Sequence, residues 1–285
     1  PLRYISLSSF YLCETQVTQE LYEAVMGVNP SDSASKDATP GEDKMKRPVE
    51  KVSWLDAIEF CNKLTTMLMG GAECVYKIEE EGDTTTVKLN LDEEKKLVKK
   101  GFRLPSAAEW EWAARGGIYQ KPQYAGPVLT DEELAEEYLE RVKKVKERVK
   151  EYGWVQTNAN KMTHQVKLKK PNPYGLYDMS GNVYEWCADI FYTDYPKYED
   201  YIEIGGDLPD SVVVEVDPMS GREGNIIITT TKPDMIFKGG SFFSPAPPLN
   251  SLWLSHAECS YIAASNAKGS QHYIGFRIAT CAPQR

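Results

Sequence analysis

The spacing of apolar residues in the first part of the chain predicts a strand followed by a helix. Residues Ile5 to Leu12 are rich in aromatic and aliphatic side chains, a composition that favours a strand. Thr18 then provides an N-cap for a helix that ends at Gly27. The apolar stripe of this helix consists of Leu21, Tyr22, Val25 and Met26. The polar residues 29–47 that follow predict a surface loop.

Two further helices are predicted by capping-box patterns. Ser53 stands three residues before Asp56, and Ser106 stands three residues before Glu109. Cys61 lies on the apolar face of the first of these helices, which favours a buried thiol. The second helix should end at the two glycines at 116–117.

The middle of the chain combines a hairpin, a charged helix and irregular segments. Residues 74–91 alternate around a Glu-Gly-Asp turn and predict a β-hairpin. Residues 131–151 run from acidic to basic, which predicts one exposed helix, or a helix on which a partner docks. Residues 174–186 lack a helical or strand period and predict an ordered loop. Two β-rich runs, 211–216 and 225–230, stand in a long irregular region.

Composition removes several classes of protein. The net charge of −9 argues against a nucleic-acid partner, because phosphate neutralisation requires a basic surface. No apolar run approaches the ~18–20 residues of a transmembrane helix. The six cysteines contain no C-x-x-C, and the three histidines never stand four residues apart, so zinc-finger and metalloprotease sites are poor hypotheses.

Five motifs together resemble one family. They are RPVEKVSWLDAIEFCNKL (47–64), RLPSAAEWEWAARGG (103–117), YGLYDMSGNVYEW (174–186), KGGSF (238–242) and GFRIA (275–279). In this order they resemble the formylglycine-generating enzyme, or sulfatase-modifying factor, domain family. The resemblance implies a single α+β domain over 1–285 with a loop-rich C-type-lectin-type fold. Insertions are expected at about 74–102 and 118–152.

The resemblance also bears on catalysis. Enzymes of the family oxidise a substrate cysteine to formylglycine, and they bind copper through two cysteines that follow the Gly-Gly-Ser motif. The matching positions here hold Ser244 and Leu249. Soft thiolates suit Cu(I), so the loss of both predicts no copper and no oxidase activity. An oxidase, or an inactive relative with a fixed binding specificity, is the alternative.

Calcium is the other cofactor that the resemblance implies. The residues that match one calcium site of the family are Asp178, Gly181, Val183 and Glu185. Carboxylates and backbone carbonyls are suitable ligands for this hard cation. The alternative is that Asp178 caps a turn and Glu185 pairs with an arginine, Arg103 or Arg277. A second family calcium site is predicted to be lost, because Lys167 stands where an aspartate is expected, with Asn158 opposite.

The segment 242–274 has the composition of a binding surface. Glu258 and Lys268 are its only charged residues, whereas 26% of the whole chain is charged. Its aromatic and small polar residues resemble those of antibody paratopes, although burial is an equal alternative for Phe242 and Trp253. The side chains expected to be exposed are Ser255, His256, Tyr261, His272 and Tyr273. The predicted ligand-contacting residues are Phe243, Ser244, Leu252, Trp253, Ser255, His256, Ser260, Tyr261, His272 and Tyr273.

The same segment matches the region that diversity-generating retroelements mutate in proteins of this fold. Such elements randomise adenines, and an AAC codon can thereby become a Phe, Ser, Leu, His or Tyr codon. All of the predicted contact residues except Trp253 are of these types. The sequence therefore predicts a non-catalytic receptor whose surface is diversified.

The remaining expectations concern partner and compartment. We expect a monomer that binds a protein or surface ligand through 242–274, with neither nucleic acid nor a transmembrane segment. The chain starts at Pro1 without a methionine. This favours a protein exported to the cell surface or the extracellular space after removal of its signal, with the cytoplasm as the alternative.

Overall fold

The structure, a computed structural model, describes residues 4–32, 39–90, 99–117, 126, 130–191, 214–216, 226–228, 232–245, 259 and 261–282. The helices are α1 (Gln19–Met26), α2 (Trp54–Met69), α3 (Ala107–Ala114), α4 (Asp131–Leu134) and α5 (Tyr138–Tyr152). The strands are β1 (Tyr4–Ser6), β2 (Phe10–Leu12), β3 (Tyr76–Glu81), β4 (Thr84–Leu89), β5 (Tyr184–Ile190), β6 (Val214–Val216), β7 (Ile226–Ile228), β8 (Asp234–Lys238), β9 (Ala263–Asn266), β10 (Ile274–Gly275) and β11 (Ala279–Cys281).

One four-stranded sheet organises the C-terminal half, with the strand order β10-β5-β8-β9. β5 pairs with β8 antiparallel and with β10 parallel, and β8 pairs with β9 antiparallel. The end of β8 and the start of β10 therefore lie at the same edge of the sheet, on either side of the start of β5. This arrangement brings the two ends of the 242–274 segment together.

The prediction of one continuous N-terminal strand over Ile5 to Leu12 is wrong. The chain forms two short strands, because β1 pairs with β6 whereas β2 pairs with β11. The change of partner interrupts the strand at residues 7–9. The helix after it is confirmed: Thr18 accepts a hydrogen bond from the Leu21 N–H, and Gly27 ends the helix with φ 81°.

Both capping boxes are confirmed. The side chains of Ser53 and Ser106 accept the backbone N–H groups of Asp56 and Glu109, and each carboxylate accepts its cap's N–H. The core packs on α2, where Trp54, Phe60 and Cys61 are fully buried. The structure describes all six cysteines, and none of them forms a disulfide.

The hairpin prediction is confirmed, whereas the charged helix is not continuous. β3 and β4 pair in register around Gly82 and Asp83, and β7 adds a third strand. The segment 131–151 is divided into α4 and α5, because the chain is extended at Glu137. Arg148 of α5 then pairs with Glu133 of α4. Among the described residues, no helix has the length and apolar composition of a membrane span.

The loop prediction for 174–186 is wrong at its C-terminal end. β5 begins at Tyr184, inside this motif. The strand is buried on both faces from Tyr184 to Asp189, so its side chains show no alternation of apolar and polar types. The β-rich runs are confirmed where the structure describes them, as β6 and β7.

Candidate binding site

A turn of two glycines directs the chain out of the central sheet after β8. Gly239 and Gly240 have φ angles of 92° and 72°. A Cβ on Gly239 would also lie 2.8 Å from the ring of Trp110. Glycine is the residue that tolerates both the left-handed conformation and the close ring. The sequence of this turn therefore fixes where the next segment begins.

The residues after the glycines form a turn that closes on itself. The Ser244 N–H donates to the Ser241 carbonyl at 2.8 Å, and the Ser244 Oγ accepts the Ser241 N–H at 2.8 Å. The Phe242 N–H donates to the carbonyl of Asn182 at 2.9 Å. This geometry buries Phe242 completely and leaves Phe243 40% exposed. Phe242 is thus a core residue, as one of the two sequence interpretations held.

Three rings from the two ends of the segment form an aromatic face, which we define as Phe243, His272 and Tyr273. The ring centroids of Phe243 and His272 lie 5.3 Å apart in an edge-to-face arrangement. Tyr273 lies 5.2 Å from His272 and 6.4 Å from Phe243, again edge to face. Edge-to-face pairs add about 0.5–1.5 kcal/mol beyond area burial, so the rings hold one another in place.

A buried layer supports the aromatic face. The Tyr184 ring lies 6.0 Å from that of Tyr273, and the Tyr184 N–H donates to the Tyr273 carbonyl at 2.9 Å. The Ser244 hydroxyl lies 3.3 Å from the Tyr184 hydroxyl and is 1% exposed. Ser244 therefore lies beneath the surface, which corrects the expectation that its side chain contacts a ligand.

Lys238 connects this region to α3. Its side chain is fully buried, and its Nζ lies 3.2 Å from a carboxylate oxygen of Glu111. The same Nζ donates to the Tyr261 carbonyl at 3.3 Å. Tyr261 is half-buried, as are His272 and Tyr273, which corrects the expectation of exposed side chains. Their packing against the core cluster and one another accounts for this burial.

Some predicted positions lie outside the described residues. Ser244 is the described member of the pair of positions that would hold copper-binding thiols, and it offers a hydroxyl oxygen instead of a sulfur. The predicted residues outside the described part of the chain are Leu249, Leu252, Trp253, Ser255, His256 and Ser260.

The residues predicted to bind calcium converge on one point. The carbonyl oxygens of Asp178, Gly181 and Val183 and the Oε1 of Glu185 all face the Nε2 of Gln16, at 3.2, 3.3, 2.9 and 3.0 Å. We call these four oxygen atoms the oxygen cage. The predicted grouping is thus present in the structure, and an amide nitrogen lies within it.

Glu185 is also paired with Arg277, one of the two arginines that the sequence suggested. The Arg277 Nε donates to Oε2 at 2.6 Å and its Nη2 donates to Oε1 at 2.8 Å. The Trp110 Nε1 donates to Oε2 at 2.6 Å. Both residues of the pair are fully buried, so this is a bidentate ion pair in the protein interior. Arg103 pairs with Glu109 instead.

Asp178 has a different environment on each carboxylate oxygen. Its Oδ2 accepts the Lys167 N–H at 2.9 Å, whereas its Oδ1 is buried with no hydrogen-bond partner. Burial raises the pKa of Asp178 to about 6, although the Lys167 N–H and the charge of Arg277 oppose the rise. Its backbone φ of 57° is consistent with a turn residue. Asp178 therefore contributes its carbonyl, not its carboxylate, to the oxygen cage.

The dimensions of the oxygen cage bear on calcium. Calcium–oxygen distances in proteins are about 2.3–2.6 Å. The cage oxygens lie 2.9–3.3 Å from their common neighbour, which is hydrogen-bond length. Arg277 already neutralises the carboxylate of Glu185. As arranged, the oxygen atoms of the cage suit an amide nitrogen and do not suit the calcium ion that the family resemblance implied.

The second family calcium site has internal contacts as well. The Asn158 Oδ1 accepts the Val155 N–H at 2.8 Å, and its Nδ2 donates to the Lys150 and Gly153 carbonyls. The Lys167 Nζ pairs with Glu14 at 2.9 Å. Asn158 and Lys167 therefore make contacts within the protein, and the loss of this calcium site stays a prediction.

Sequence reasoning missed Gln16 and Lys238 as residues of these sites. The contacts of Gln16 reach 162–169 positions along the chain, and those of Lys238 reach 127 and 23 positions. No local pattern in a single sequence reports partners so far away. The one available signal for Lys238 was its place directly before the two glycines.

The comparisons with known proteins identify the family. The chain belongs to the sulfatase-modifying factor enzyme 1-like domain family, whose profile matches residues 1–282. The predicted C-type-lectin-type fold of this family is thereby confirmed.

Individual relatives carry different names. The chain is similar to the chaperone protein LppX of Paenibacillus barcinonensis, with 38% identity over 219 residues, 73% of this chain and 72% of that protein. It is 31% identical to the formylglycine-generating enzyme of Thermomonospora curvata over 179 residues, which is 63% of this chain and 49% of that enzyme. The match thus spans about half the length of the enzyme.

Among solved structures, the chain is similar to Treponema denticola variable protein 1. The TM-score is 0.68 at 30% identity, covering 98% of this chain and 86% of that one. The structure of CarF matches with a TM-score of 0.57 at 22% identity, over 96% of this chain and 87% of that one. The likeness to CarF concerns the fold alone.

Proposed function

We propose that this chain is a non-catalytic binding protein and that the aromatic face contacts a protein ligand. The carrying observation is the arrangement of Phe243, His272 and Tyr273, three mutually packed rings with Phe243 40% exposed. Rigid aromatic side chains lose little conformational entropy on binding and dominate protein interfaces.

The charge distribution supports a ligand that is recognised through apolar contacts. Within 242–274 the chain carries only Glu258 and Lys268 as charged residues. The Lys268 Nζ donates to the Asp83 carbonyl at 2.8 Å, in the turn of the β3–β4 hairpin. The charge of Lys268 therefore lies against the β3–β4 hairpin, and the charge of Lys238 is buried beneath the surface.

The relatives support the same proposal. One is named a chaperone and another a variable protein, and both names suit a scaffold that holds other molecules. We extend to this chain the expectation of a variable surface over 242–274. We also propose that the domain acts as a monomer outside the cell or at its surface, and that one domain spans 1–285.

Selection from a random-peptide display library on the immobilised protein tests the binding proposal. Selected peptides should bind the Phe243→Ala variant at least tenfold more weakly, which corresponds to about 1.4 kcal/mol. The Tyr11→Ala variant is the matched control, because Tyr11 is 60% exposed on β2, outside the aromatic face. Peptides that bind both variants equally, or a selection that enriches no sequence, would contradict the proposal.

The non-catalytic part has its own test. The hydroxyl of Ser244 replaces a thiolate, and thiolates are the ligands that retain Cu(I). Anaerobic titration with Cu(I) should show no stoichiometric binding, and a cysteine-containing peptide should not be converted to formylglycine. A tight equivalent of copper together with turnover would support the alternative oxidase.

Diversification is tested at the level of DNA. Codons 240–275 would be sequenced in many clones of the source strain, together with the DNA downstream. Variation confined to codons with adenine in the template, with Trp253 and Gly275–Arg277 unchanged, supports a diversified receptor. An invariant segment with no adenine-bearing near-copy would leave a binder of fixed specificity.

A further inference from the structure

The oxygen cage contains more acceptors than its occupant can satisfy. A carboxamide nitrogen carries two hydrogens. The Gln16 Nε2 nevertheless has four oxygens within 3.3 Å: three carbonyls and one carboxylate oxygen. Convergence of several oxygens on one point is the usual environment of a cation rather than of an amide.

Two other side-chain atoms of the residues that build the cage lack hydrogen-bond partners. The Oε1 of Gln16 is buried without a hydrogen bond, and so is the Oδ1 of Asp178. Both side chains are 1% exposed. Unpartnered buried polar atoms are uncommon in folded proteins and each needs a physical explanation. The amide of Gln16 is therefore held here for what its nitrogen contacts, at the expense of its oxygen.

The charge balance favours the amide over a cation. The guanidinium of Arg277 makes two hydrogen bonds to Glu185, so the one carboxylate of the cage is already paired with a positive charge. A neutral donor satisfies the remaining partial charges on the carbonyls without adding charge. A divalent cation would have to displace this amide and bind beside Arg277 in the interior, so it competes poorly while Gln16 is present.

We infer that the Gln16 carboxamide takes the place of a cation in the oxygen cage, so that this chain holds its 178–185 segment without bound metal. The inference has a second part: when Gln16 is shortened, the cage becomes a site for a hard divalent cation. Three carbonyls and the Glu185 carboxylate then supply the ligands, and water completes them.

The test uses the purified protein, stripped with EDTA and then supplied with CaCl₂. We expect wild-type protein to melt at the same temperature in both buffers, within about 1 °C, and to retain less than about 0.1 equivalent of calcium by elemental analysis. Wild-type protein that retains one equivalent of calcium, or that melts several degrees lower in EDTA, overturns the inference.

The variant Gln16→Ala tests the second part. It should melt at a lower temperature than wild type in EDTA and recover several degrees in millimolar calcium. The matched control is Gln19→Ala, since Gln19 is equally buried and its amide contacts the Pro48 carbonyl and Asn29. Gln19→Ala should lose stability without any calcium response. If Gln16→Ala does not fold, Gln16→Asn also leaves space for a cation.

A variant that fills the space without donating a hydrogen bond separates the cage from general packing. Gln16→Met has nearly the volume of glutamine but offers neither an N–H nor space for a cation. It should lose stability and show no calcium response. Equal calcium responses in Gln16→Met, Gln16→Ala and Gln19→Ala would show that calcium acts elsewhere, and would overturn the second part.

Discussion

Replacement of Glu185 by glutamine tests the buried ion pair between Glu185 and Arg277, which lies beside the oxygen cage. Each carboxylate oxygen of Glu185 accepts two hydrogen bonds, from Arg277 and Gln16 on Oε1 and from Arg277 and Trp110 on Oε2. In Glu185→Gln, one of these oxygens becomes an amide that faces two donors. The charge of Arg277 also loses its partner in a fully buried position.

The magnitude follows from these contacts. Breaking a buried ion pair by removing one partner costs about 3–5 kcal/mol, because a charge remains uncompensated. For a chain of this length, about 2–4 °C of melting temperature is lost per kcal/mol, which gives a decrease of roughly 6–20 °C. Because β5 carries Glu185 and pairs with β10 next to Tyr273, the aromatic face should loosen as well.

Urea unfolding followed by circular dichroism measures the loss directly. Glu140→Gln is the control, because Glu140 pairs with Lys143 at the surface and exposed pairs contribute about 0–1 kcal/mol. A double-mutant cycle with Arg277→Met should give a coupling energy of about 1–3 kcal/mol. A loss of unfolding free energy below about 1 kcal/mol in Glu185→Gln, equal to that of the control, would refute this account of the buried ion pair.

Three further substitutions test other parts of the structure. Burial raises the pKa of Glu50 from 4.5 to about 7, so the folded state retains a proton that the unfolded chain loses, and stability falls as the pH rises from about 4.5 to 7. Glu50→Gln should therefore stabilise the protein at pH 8 by up to about 3 kcal/mol, but hardly at pH 4.5. A stability difference in urea unfolding that does not change with pH would contradict this. Lys238→Met removes the donor to the Tyr261 carbonyl, which should speed amide hydrogen exchange in β9 and lower the stability by about 1–3 kcal/mol. Unchanged exchange rates would show that Lys238 does not stabilise this strand. Gly181 has a φ of 97°, and in Gly181→Ala the added methyl group would collide with the Trp154 carbonyl oxygen. Thermal unfolding should therefore show a larger loss of stability than the ~1–2 kcal/mol expected from a positive φ alone. In Gly175→Ala the added methyl group meets nothing, so equal losses of stability in the two variants would refute the collision.

Local signals in the sequence predicted the local structure well. The caps at Ser53 and Ser106 and the stop at Gly27 depend on residues within one helical turn, and all three are confirmed. The family motifs predicted the fold and the grouping of Asp178 and Glu185 at one site. Short-range chemistry and a shared family pattern carried these predictions.

The parts that sequence reasoning missed depend on distant contacts. β5 lacks an alternating pattern because the sheet covers both of its faces, and the break between α4 and α5 falls in a uniformly charged run. Gln16 resembles an ordinary polar residue until the 178–185 segment folds around its amide. Similarly, the exposure of Tyr273 is decided by rings that come from other parts of the chain.

The central claim is that the aromatic face binds a protein ligand through apolar contact. Calorimetric titration of a selected peptide at several temperatures, on wild type and on Phe243→Ala, measures this directly. The account predicts a negative heat-capacity change for wild type, the mark of apolar burial, and at least tenfold weaker binding to Phe243→Ala. Equal affinities for the two proteins, with a heat-capacity change near zero, would contradict it.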